Sequence, residues 1–133
     1  MIVVDTNLLV YLYVQGQRTA EAEAVLLRDP VWAAPVLWRS EFRNVLAGLV
    51  RRRALGLEDA ARIVSEAERA MAGREYGVVS ERVLRLATQS GCSAYDCEFV
   101  SVAQDLGLPF VTADRKLLAA FPTTAVSPEA FAA

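Results

Sequence analysis

Apolar residues run along this chain in two alternating rhythms. Ile2-Val3-Val4 is an unbroken β-branched run, the pattern of a strand buried on both faces, and it ends at Asp5. Asp5-Thr6-Asn7 opens a helix through Leu8, Leu9, Tyr11 and Leu12. Residues 18–28 read as a second helix with Ala20, Ala24 and Leu27 on one face, and Val31-Trp32-Ala33 as a strand. Pro35 suits the first position of a long helix reaching Arg53, since the missing N–H costs nothing there. Gly56 separates it from a helix over Leu57–Ala72, which Gly73 closes. A weak strand, Tyr76–Val79, precedes a helix from Ser80 to about Gln89. Ser93 caps the next helix, Ala94–Leu106, which stops at Gly107. Pro109–Thr112 reads as a strand, Asp114 starts a short helix, and Thr123–Val126 is a last strand before an Ala-rich tail expected to be loosely held. Short strands alternating with helices predict an α/β fold: three layers around a short, mainly parallel sheet covered on both faces.

The 133 residues suit one domain spanning 1–133, with no linker or repeat. Such a domain buries about two thirds of the surface its unfolded chain exposes. Basic and acidic residues nearly cancel (14 − 16 = −2). That excludes a polybasic grip on nucleic acid but leaves an acidic site that meets phosphate through bound cations. The chain has no histidine, which removes Ser-His-Asp chemistry, imidazole proton shuttles and histidine-bearing zinc sites. Any metal site must then be built mainly from hard oxygens, which favour Mg²⁺ or Mn²⁺. Cys92 and Cys97 are expected to be free, buried thiols rather than a disulfide framework. The opening residues pass straight into a strand, so no signal peptide is expected. No apolar run approaches the ~20 residues that span a bilayer. A reducing cytoplasm is the expected setting.

Ligands of open α/β sheets bind beyond the carboxyl ends of the strands. Asp5 stands at one such end and Asp114 just past another, while Asp96 lies in the first turn of the helix feeding that second strand. Each has a simpler role available, as a helix cap or a charge matched to the helix dipole. Glu41 is harder to assign so. At ~100° per residue, Trp38, Phe42, Val45 and Leu49 share a face, and Glu41 sits on its flank, where a carboxylate needs an arginine or a cation beside it. Grouped carboxylates repel unless some take up protons or a divalent cation gathers them. Mg²⁺ binds through a few carboxylates and keeps waters, an arrangement suited to phosphodiester hydrolysis.

The stretches Met1-Ile-Val-Val-Asp5-Thr-Asn7, Ser40-Glu41-Phe-Arg-Asn-Val-Leu46, Tyr95-Asp96 with Phe99–Ala103, and Phe110-Val-Thr112-Ala-Asp114 resemble, in this order, the motifs of PIN-domain nucleases. Within that family they are most similar to the VapC-type toxins of toxin–antitoxin pairs. The resemblance implies a PIN-like sandwich and a Mg²⁺- or Mn²⁺-dependent endoribonuclease. Asp5, Asp96 and Asp114 would be metal ligands, Glu41 a ligand or water-positioning group, and Asn7 and Thr112 donors that orient carboxylates. It also implies a homodimer silenced by an antitoxin protein. Arg51-Arg52-Arg53 is a candidate RNA track, although cations at a helix C-terminus are favourable without any ligand. Glu98, two positions from Asp96 and off its face, is expected to be solvated. Two rivals remain. A haloacid-dehalogenase-like phosphatase needs a second aspartate where Asn7 stands. A catalytically silent PIN-like module would bind RNA or protein without cutting.

Overall fold

In the computed structural model, which describes residues 1–133, β1 (Ile2–Val4) is buried on both faces and forms the middle of a five-stranded sheet. The other strands are β2 (Trp32–Pro35), β3 (Glu75–Tyr76), β4 (Phe110–Val111) and β5 (Ala125–Val126). Their order is β3-β2-β1-β4-β5, and every pairing is parallel. The strands run outward from β1 in both directions, so the topological switch point lies between β1 and β4.

Eight helices connect and cover the strands: α1 (Thr6–Tyr13), α2 (Thr19–Arg28), α3 (Trp38–Arg51), α4 (Leu57–Met71), α5 (Ser80–Ser90), α6 (Ala94–Leu106), α7 (Arg115–Ala120) and α8 (Pro128–Ala132). α6 packs on β1, β2 and β4 and is covered in turn by α5, while α1, α3 and α4 pack together with α4 against β2. Helices therefore flank the sheet in the three-layer arrangement expected. α6 is buried almost all round from Cys97 to Ala103, as a helix sandwiched between layers must be. Cys92 and Cys97 are free and buried.

Three local expectations need correction. Pro35 is the last residue of β2, not the first of a helix. Ala34 and Val36 donate to Arg74 and Tyr76 of the β3 side, so the ring nitrogen between them points towards β1 beyond the paired residues, where no donor is needed. The buried face of α2 is Thr19, Ala22 and Val25, whereas Leu27 is 88% exposed. Small alanines on several faces made the helical period ambiguous. The tail after Ser127 is not loose. Pro128 takes the first helical position, Ser127 Oγ accepts from the Ala130 amide at 3.1 Å, and α8 packs on α2.

Candidate active site

Beyond the carboxyl ends of β1 and β4, four separate segments deliver one carboxylate each to a single open cleft of about 230 Å³. It is lined by Asp5, Thr6, Asn7, Glu41, Asn44, Val45, Asp96 and Asp114. Register explains the first pair. Val4 lies opposite Val111 and the Asp5 amide donates to the Val111 carbonyl at 3.1 Å, which sets residue 5 beside residue 112. There Thr112, fully buried, donates its hydroxyl to Asp5 Oδ2 at 2.6 Å, while Thr112 Oγ1 accepts from the Asp114 amide at 3.1 Å. One threonine thus ties together the two acids that follow adjacent strands.

Asp5 precedes α1 without making a side-chain capping bond, so its oxygens are not consumed by the helix. Asp114 does cap α7, with Oδ1 accepting from the Leu117 amide at 3.0 Å. Asp96 sits in the first turn of α6, where the Ser93 hydroxyl accepts from its amide at 3.0 Å. Because α3 begins at Trp38 rather than Pro35, Glu41 lies in its first turn and not its second. The buried stripe of α3 is Trp38, Phe42 and Leu46; Val45 and Leu49 are only half-buried, and Val45 lines the acidic cleft. Glu41 meets neither arginine nor any other cation. Its Oε1 accepts from the Thr6 hydroxyl at 2.7 Å.

The electrostatics are those of crowded, unpaired acids. Burial pushes the Asp5 carboxyl above its ordinary value, and Asp96 and Asp114 push the same way against the Thr112 hydrogen bond. Burial raises Glu41 too, opposed by Thr6 and reinforced by Asp5, Asp96 and Glu98. Asp96 is raised by burial and by Asp114, with the Ser93 hydroxyl and Lys116 acting in opposition. The chain's ion pairs all lie elsewhere. No three of these side chains are drawn together into a ready-made coordination shell, consistent with carboxylates that repel one another. The donor set is entirely hard oxygen with neutral hydroxyls behind it, which fits a divalent cation keeping several waters.

The other anticipated residues fall differently. Asn7 lines the cleft but is exposed and hydrogen-bonds no carboxylate. Arg51, Arg52 and Arg53 are exposed at the far end of α3, about 15 Å along the helix axis from Glu41, so the fold does not bring them to the acids. Glu98 is not out in solvent: it is half-buried and close enough to Glu41 to raise it. Thr6 and Asn44 were not anticipated. Asn44 lies three residues after Glu41, hence on the same flank of α3, and helical spacing alone would have found it.

The profile of the PIN domain matches residues 2–121. The chain belongs to the PIN-domain family. Among characterised relatives, Ribonuclease VapC3 of Pyrobaculum aerophilum is 28% identical over 124 residues, covering 91% of this chain and 95% of that protein. Among solved structures, PAE2754 from Pyrobaculum aerophilum superposes with a TM-score of 0.78 at 25% identity, covering 98% of this PIN chain and 92% of that one. A toxin–antitoxin complex from Klebsiella pneumoniae gives a TM-score of 0.73 at 23% identity, over 96% of this chain and 98% of the other. FitAcB from Neisseria gonorrhoeae gives 0.71 at 20%, over 97% and 99%. The last two likenesses are of fold.

Proposed function

We propose that this PIN domain, residues 1–133, is a Mg²⁺- or Mn²⁺-dependent endoribonuclease and the toxin of a toxin–antitoxin pair, active as a homodimer. The observation that carries the reading is the convergence of Asp5, Glu41, Asp96 and Asp114 from four segments on one cleft without a paired cation. Similarity to a protein named a ribonuclease supports RNA as the substrate. The motif resemblance supports an antitoxin as partner, and the fold shared with the Klebsiella complex agrees with it.

Asp5, Asp96 and Asp114 would hold the cation, with Glu41 completing the set or orienting water. A divalent cation bound there lowers the pKa of water and offsets charge at a phosphorus undergoing in-line attack. The chain's own groups do the positioning. Thr112 fixes the Asp5 carboxylate and the start of α7 together, and Thr6 holds Glu41 Oε1. That leaves Glu41 Oε2 to accept a proton from the attacking water, and a carboxylate raised towards neutrality is a better base for the task.

The direct test incubates purified protein with total RNA, with Mn²⁺ or with EDTA, and maps the cut ends. Internal cleavage that EDTA abolishes is expected, with Mn²⁺ raising the melting temperature because only the folded site gathers the ligands. Intact RNA together with an unmoved melting temperature would refute the reading. Thr112→Val keeps shape but removes the hydroxyl shared by Asp5 and Asp114. Loss of such a supporting partner lowers activity by roughly 10–100-fold, to be read as single-turnover rate at saturating RNA on a folded protein.

A further inference from the structure

Lys116 is the only lysine in the chain, every other cationic side chain being an arginine. Its Nζ donates to the Gly91 carbonyl at 2.8 Å. Gly91 ends α5 in the left-handed region (φ 74°), and the turn after it leads into Ser93, whose hydroxyl receives the Asp96 amide. Lys116 itself lies two residues past Asp114, in the first turn of α7. No other hydrogen bond joins the turn between α5 and α6 to α7. The ammonium therefore ties the first turn of α7 to the C-terminal cap of α5, two residues before the Ser93 cap of the helix that presents Asp96; Asp96 and Asp114 repel each other. A lysine suits this place, its compact charge on a flexible stem reaching a single carbonyl.

We infer that Lys116 is a positioning residue of the cleft, its clasp on Gly91 setting Asp96 against Asp114; the inference rests on reading the cleft as a divalent-cation nuclease site. Two simpler roles make opposite forecasts. A bystander positive charge near the acids would repel Mn²⁺, so its removal would tighten Mn²⁺ binding. A contact to RNA phosphate would show in KM and leave Mn²⁺ binding alone.

The test uses the full chain with Lys116→Met, which keeps the stem but loses charge and donors, and Lys116→Arg, which keeps both. Three quantities are read: the Mn²⁺ concentration at half-maximal thermal shift, kcat and KM on a cleaved RNA, and hydrogen exchange at the Asp96 and Cys97 amides in EDTA. For Lys116→Met the Mn²⁺ midpoint rises on the order of 10-fold and kcat falls, while KM is unchanged and both amides exchange faster. Lys116→Arg restores most of each. An unchanged or lower Mn²⁺ midpoint, or a rise in KM alone, overturns the inference. Should the wild type neither bind Mn²⁺ nor cut RNA, the nuclease reading falls by itself. The exchange rates then still decide the clasp: faster exchange supports it, and unchanged exchange removes it.

Discussion

Asp5→Asn gives a protein that no longer cuts RNA yet melts higher than the wild type in EDTA at pH 8. Burial and the neighbouring Asp96 and Asp114 hold the Asp5 carboxyl above its ordinary value. The folded chain thus keeps this proton to a higher pH than the unfolded chain, whose aspartates ionise near pH 4. Stability from this group is full below that value and is lost as pH rises through the folded value, because the unfolded state has already released its proton. Asparagine is neutral throughout, has the same size and still offers an Oδ1 to the Thr112 hydroxyl. The variant escapes the loss, so its advantage of a few degrees should vanish as pH falls towards 4. Asp29, held low mainly by the N-terminal ammonium, and Glu75, held low mainly by Arg39, give slopes of opposite sign, so the comparison is made as a difference between variant and wild type. Mn²⁺ should reverse the order by stabilising only the wild type, while cleavage falls by more than the roughly 100-fold seen when a mere supporting residue is lost. A variant that cuts at the wild-type rate would remove Asp5 from the site. One less stable at pH 8 in EDTA would refute the crowding of charge.

How the fold tolerates that crowding follows from where the acids stand. Asp5 and Asp114 immediately precede α1 and α7, and Glu41 and Asp96 lie in the first turns of α3 and α6. Four helix N-termini, each with unsatisfied amides and the positive end of a dipole, therefore meet at one edge of the sheet. A parallel sheet with helical crossovers delivers this arrangement without special design, since every strand leads at its carboxyl end towards the start of a helix. The dipoles ease the repulsion but do not cancel it, as the upward displacement of Asp5, Glu41 and Asp96 records.

What was legible in the sequence was whatever depends on neighbours in the chain. Ile2-Val3-Val4 could only be a doubly buried strand, and Ser93 with Gly107 bracketed α6 correctly because both act through local backbone geometry. Asp5, Asp96 and Asp114 stood out as candidates because each follows a strand or opens a helix, and Glu41 because it sits on the flank of an apolar helix face. Pro35 was misplaced because a proline at a strand end and one at a helix start obey the same local rule, and only the β2–β3 register separates them. The α8 tail was misjudged because its partner, α2, is about a hundred residues away in sequence. Thr6 and Lys116 escaped for a related reason. Their partners are Glu41 and Gly91, and no pattern within their own segments names those. Thr112 stood out only through the resemblance, since threonine favours strands in any case.

Phe42→Ala separates the fold from the chemistry in the opposite sense to Asp5→Asn. Phe42 is fully buried, and its ring meets Trp38 edge to face, with centroids 5.5 Å apart at 73°. Trp38 is anchored by its indole N–H on Glu75 Oε2 at 2.8 Å, and Arg39 holds the same carboxylate at 2.6 Å. The surroundings therefore cannot collapse freely into the space a truncated ring leaves, and such a truncation costs about 3–5 kcal/mol. Against a total of roughly 5–15 kcal/mol for a natural domain, the variant should be close to unfolding at 37 °C. Urea titration is the measurement: the midpoint drops while the slope is kept, because the surface exposed on unfolding is nearly the same. Thr6, Glu41 and the three aspartates of the cleft are untouched. Cleavage per folded molecule should therefore stay near wild type at low temperature with Mn²⁺, which also recovers stability by binding only the folded chain. A loss below about 1 kcal/mol would mean that α3 is not held by this aromatic pair, the cavity term expected at a rigid site being absent. Wild-type stability with no cleavage would instead place Phe42 in the chemistry, against its full burial and its absence from the lining of the cleft.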